Sequence, residues 1–187
     1  MLSLLKRFFG CLLEWLAKKR SWYEKDGIIY FSVTSDGTNG EEWIARLKKN
    51  GLGVTDYAKS LLRSEDFKPT KGVKYEIAVL KGTLSTDSDR TTKKIRAEAD
   101  KRKLITPSAE IACLVREMFT DENLKAMGIT WLVIMHNPIE DFLGDWRLLT
   151  ANRFGRGRWL DACVGLPNVQ WRQNDGFAFV AQVSPQS

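Results

Sequence analysis

The chain has 187 residues, 43% hydrophobic and 28% charged, which is the composition of a folded globular domain and excludes a disordered or collagen-like chain. Its formal charge of +6 favours a polyanionic partner over a cationic one. Three far-separated cysteines (Cys11, Cys113, Cys163) and a single histidine, His136, form neither a disulfide framework nor a metal-ligand set. A reducing, cytoplasmic setting is expected, with no cofactor and no metal.

In chain order, residues 1–22 read as a basic amphipathic helix appended to a single domain of residues 23–187. Leu2, Leu5, Phe8, Phe9, Leu12, Leu13 and Leu16 make its apolar stripe, beside Lys6, Arg7, Lys18, Lys19 and Arg20. The unbroken apolar run, Phe8 to Leu13, is too short to cross a bilayer. Glu14 and the lack of a small-residue cleavage site argue against a signal peptide. Such a helix packs on the domain, on a partner protein or on an acidic membrane surface.

Ile28–Thr34 is rich in β-branched and aromatic residues and predicts a strand. A turn-rich loop leads to a helix over Glu41–Lys49, opened by an Asn39/Glu42 capping box and closed by Asn50-Gly51. The strand–loop–helix order has the shape of a phosphate cradle, but neither GxGxxG nor GxxxxGK[ST] is present. Gly51-Leu52-Gly53 reads as a helix end, Val54–Arg63 as a further helix, and Val73–Leu80 as a strand. Asp89 is placed to cap a basic helix, Arg90–Lys103, whose few apolar positions (Ile95, Ala99, Leu104) leave most of its circumference in water.

Thr106-Pro107 has the chemistry of a helix start, and Ile111 to Phe119 carry helical apolar spacing. A short helix from Thr120 should end at Gly128. Ile129–Met135 is apolar on both faces and predicts a central strand, with His136 at its carboxyl end. Strands follow over Arg147–Phe154 and Arg158–Val164, and Asn174-Asp175-Gly176 signals a hairpin into Phe177–Val183. The fold class expected is α+β: one domain, a mixed sheet flanked by helices, a C-terminal antiparallel meander and the N-terminal helix.

Three functional readings follow. The first is a non-catalytic binding protein with nucleic acid, or another polyanion, as partner. Arg90, Lys93, Lys94, Arg96, Lys101, Arg102 and Lys103 would meet phosphates. Trp146, Trp159 and Trp171, set among Arg147, Arg153, Arg156, Arg158 and Arg172, would offer flat rings to single-stranded bases. The same clusters are equally what solvated helix faces and core tryptophans look like. A helix-turn-helix over Arg90–Phe119 is disfavoured because Glu110 and Glu117 stand on the reading helix.

The second reading is a small hydrolase or transferase, with His136 and Glu140, Asp141 or Cys113 as an acid–base or nucleophile–base pair. The third is a peripheral membrane or assembly protein held by residues 1–20. The polyanion reading requires the basic clusters to converge on one face. The enzyme reading requires an open polar pocket that reaches His136.

Overall fold

The computed structural model describes residues 21–154 and 157–185. The expected N-terminal helix and Arg156 lie outside these residues, as does the side chain of Arg153. The described chain is an α+β fold around one nine-stranded mixed sheet. Its strands are β1 (Tyr23–Lys25), β2 (Ile28–Asp36), β3 (Gly53–Val54), β4 (Lys71–Lys81), β5 (Trp131–Ile134), β6 (Ile139–Glu140), β7 (Trp146–Phe154), β8 (Gly157–Val164) and β9 (Asp175–Pro185). Its helices are α1 (Gly40–Lys49), α2 (Asp56–Arg63), α3 (Thr92–Lys101), α4 (Ile111–Met118) and α5 (Asp121–Ala126).

The strands run in the order β1-β2-β4-β9-β5-β7-β8-β3, with β6 beside β7. The β5–β9 and β3–β8 pairs are parallel and the others antiparallel. Alternation along each strand divides the core in two. On the first face Ile29, Phe31, Val33, Ile77, Val79, Leu132 and Ile134 pack under α1, α2, α4 and α5. On the second face Ala78, Leu80, Val133, Met135, Phe177 and Phe179 are covered by Ile95 and Ala99 of α3 and by Trp171.

Helix ends behave as short-range chemistry dictates. The Asn39/Glu42 capping box is complete, and Gly51 and Gly128 take the left-handed φ (+72° and +74°) that follows a helix end. Gly40 is required for a different reason. A Cβ there would sit 1.7 Å from the Leu62 carbonyl oxygen, so α1 begins directly against the backbone of α2.

Other expectations are corrected. Thr106-Pro107 does not start a helix, because Ile105 exchanges two backbone hydrogen bonds with Val180 (2.8 and 2.9 Å) and keeps the chain extended. Helix α4 begins only at Ile111, after Glu110 has taken a position under four donors. Its carboxylate accepts from the Thr70 N–H and hydroxyl, from Ser108 Oγ and from the Tyr75 hydroxyl. Gly53-Val54 is a strand, and Thr55 caps α2. Thr91, not Asp89, caps α3. The Asn174–Gly176 turn makes no hairpin. Strand β9 leaves it to run between β4 and β5, so the antiparallel meander is confined to β6–β7–β8.

Candidate functional site

Two residues beyond the end of the central strand β5 lies His136, whose ring is closed off. It is 2% exposed, and the Leu149 N–H donates to Nε2 at 2.9 Å, so the ring proton sits on Nδ1 and is donated to the Asn137 carbonyl at 2.6 Å. Burial lowers its pKa to about 4, aided by Arg96 and opposed by the Asn137 carbonyl. A neutral imidazole with both nitrogens engaged by backbone has none left for a substrate, and among the described residues His136 lines neither the cleft beside Glu140 nor the one beside Trp146.

Its expected partners are elsewhere. The Asp141 carboxylate accepts from the Leu143 and Asp145 N–H groups and from Arg147 Nε, which holds the β6–β7 turn. Glu140 is exposed in a cleft of about 520 Å³ with Asp56, Lys59, Arg63 and Phe142. Cys113 is fully buried and desolvation raises its thiol well above the ordinary range.

Several predicted phosphate contacts are structural. Arg90 is 5% exposed and donates to the carbonyls of Gly82, Ser85 and Trp171 and to Asp87. Arg96 donates to the Met135 and His136 carbonyls at 3.0 and 2.6 Å, which fastens α3 to the end of β5. Arg158 donates to the Arg116 and Phe119 carbonyls. Beside it Arg116 is wholly buried; desolvation, with Arg158 nearby, brings its pKa down to about 10.

Trp171 is a core residue at 6% exposure, with its indole N–H on Thr92 Oγ1 and its ring edge-on to Phe177. Trp159 lies against Gly53, where a Cβ would come within 2.2 Å of the ring. On α3, Lys94 pairs with Asp89, and Lys101 and Arg102 pair with Glu98. Nor do the described basic sets converge. Arg147 stacks on Tyr57 of α2 and Arg158 reaches α4, both on the first face, whereas α3 covers the second.

What the fold does bring together is a groove of about 810 Å³ beside α3, within the range of small-ligand sites. Helix α3 contributes Lys93, Arg96, Ala97 and Asp100; the facing wall is Pro138, Trp146 and the Gly165-Leu166-Pro167 turn. The Trp146 indole is 48% exposed. Lys93 is exposed and has no ion pair among the described residues. Sequence patterns point to Lys93, Arg96 and Trp146 but not to the apolar wall, whose Pro138, Leu166 and Pro167 come from two loops that meet only in the folded sheet.

No known protein family, curated protein or solved structure matches the chain. Among the described residues, no group of three or more His, Cys, Asp and Glu side chains is placed to hold a metal ion, and no helix is long and apolar enough to cross a membrane.

Proposed function

We propose that this is a non-catalytic binding protein whose partner is single-stranded nucleic acid, received in the groove beside α3. The observation that carries the reading is the pairing, in one groove, of a half-exposed indole with an ammonium that makes no ion pair among the described residues, Trp146 and Lys93. A base stacks on Trp146 and the adjoining phosphate meets Lys93, while the Arg96 guanidinium adds positive potential although its hydrogen bonds go to backbone carbonyls. Lys103 is a further exposed cation near the end of the same helix. The free, buried Cys113 suits a reducing compartment such as the cytoplasm.

The test is binding of a labelled single-stranded oligonucleotide across a salt series, with Trp146→Ala and Lys93→Gln. Losing the ring should cost about 1–3 kcal/mol of affinity. Losing the lysine should make the log–log salt slope shallower by about 0.7. Unchanged affinity and slope in both variants would remove the groove from this role.

A further inference from the structure

The groove beside α3 changes character along its length. The residues of α3 that line it, Lys93, Arg96, Ala97 and Asp100, fall at the i, i+3, i+4 and i+7 positions of one helical face. Lys93 stands at the end where its backbone N–H meets the Pro167 carbonyl at 2.9 Å. Asp100 lies two turns on, about 10 Å along the helix axis. A nucleotide spans a comparable length from its phosphate to the far edge of its base. Trp146 stands on the opposite wall beside the same turn, its carbonyl accepting from the Gly165 N–H at 2.8 Å.

The fold gives Asp100 no task. It is exposed, and its carboxylate makes no ion pair and accepts no hydrogen bond among the described residues. Glu98, two residues earlier, is paired with Lys101 and Arg102. Asp100 also sits in the last turn of α3, where the helix dipole disfavours a negative charge. An ionised carboxylate only accepts hydrogen bonds and repels phosphate, so in this groove it calls for a ligand group that brings donors.

Arg96 lies one turn before Asp100 on the same face. Burial lowers its pKa and Asp100 opposes that through space, yet the two form no ion pair. Its guanidinium gives one N–H to the Met135 carbonyl and one to the His136 carbonyl, out of the five that a guanidinium carries. Along the groove the helix therefore offers donors at Arg96 and then two acceptor oxygens at Asp100.

That order is complementary to one base. The Watson–Crick edge of guanine presents its O6 acceptor followed by two donors, N1–H and the N2 amino group. Thymine and uracil turn a second carbonyl toward the carboxylate. Adenine and cytosine set a ring-nitrogen acceptor beside their amino group, so neither gives a carboxylate two donors.

We propose that the groove selects guanine. The base stacks on Trp146, its N1–H and N2 amino group donate to the Asp100 carboxylate, its O6 accepts from Arg96, and its phosphate meets Lys93. This rests on the groove being a single-strand site and adds which base it reads.

The experiment measures binding of the full-length protein to labelled thymine oligonucleotides that carry one central guanine, inosine, adenine or cytosine, against the all-thymine strand. Guanine should bind about tenfold tighter than thymine, the scale of one bidentate base contact. Inosine keeps O6 and N1–H but lacks the N2 amino group, and should fall between the two. Asp100→Ala should make guanine, inosine and thymine equal while leaving the all-thymine affinity at the parent's level or above. The same variant should melt no lower than the parent, because its carboxylate has no partner in the fold. Lys93→Gln should weaken every strand and keep the order of bases. If no strand binds, or if Trp146→Ala and Lys93→Gln leave all binding unaltered, the single-strand reading of the groove falls and guanine selection with it. If the strands bind through the groove but guanine has no advantage, if inosine equals guanine, or if the advantage survives in Asp100→Ala, guanine selection alone is overturned.

Discussion

The two faces of the sheet bury side chains in opposite ways. The first lies under four helices, and its Glu110 carboxylate receives donors from Thr70, Tyr75 and Ser108, while Arg116 Nε and Arg158 Nε have no hydrogen-bond partner among the described residues. Among the described residues the second has α3 as its helical cover, an open groove on one flank and acceptors without a partner near one end of β7. The lesson is a division of labour. One face closes the core and confers stability, while the other leaves an open groove, which is where a ligand can gain affinity.

The largest expected effect tests the closed face. Trp43 of α1 is 1% exposed within the first core, and Trp43→Ala should cost about 3–5 kcal/mol of unfolding free energy in urea. A loss under about 1 kcal/mol would mean that this face is not the main source of stability.

Next is pH, acting where β5 ends. The folded His136 titrates near 4, below its ordinary value, so its neutral form favours the fold. That contribution is complete above about pH 6.5 and is lost as pH falls toward 4, by roughly 3 kcal/mol in all. Asp36 and Asp141, held low by Thr38 and Arg46 and by Arg147 and backbone N–H groups, lose their contributions at lower pH still. Asp175, raised by burial, works in the opposite direction. The difference between His136→Gln and the parent across pH 4.5–7 isolates the histidine; equal slopes would show that the ring is not sealed in solution.

A smaller effect is expected at the β3 edge. Gly53→Ala forces the Trp159 ring off its seat and should cost about 1–3 kcal/mol, as overpacking does, seen as a shifted urea midpoint. The smallest is Trp146→Ala on the open face. Its stability should stay within about 0.5 kcal/mol of the parent while oligonucleotide binding falls. A large loss of stability there would make Trp146 part of the core and erase the contrast between the faces.

Short-range signals are legible in the amino-acid order. The alternation of Ile29, Phe31 and Val33, the Asn39/Glu42 box and the turns at Gly51 and Gly128 depend on neighbours within a few residues, and each is present. The misplaced features depend on distant partners. Ile105 is extended because Val180 pairs with it, and β9 leaves its apparent hairpin because β4 and β5 flank it. Charge misleads for a related reason. A guanidinium bound to carbonyls, as in Arg90, Arg96 and Arg158, is written with the same letter as one in water. Lys93, Asp100 and Trp146 do not stand out as a set along the chain, since only the fold brings them to one groove.

The placement of β9 has a consequence for how the chain is made. Strands β4 and β5 have no contact in the sheet except through a segment that leaves the ribosome after both. Until Asp175–Pro185 emerges, each half presents an unpaired edge at the point where the finished sheet is most deeply buried. Closure is therefore a late, long-range step, and the chain stays exposed to misassociation at both edges until that segment has emerged.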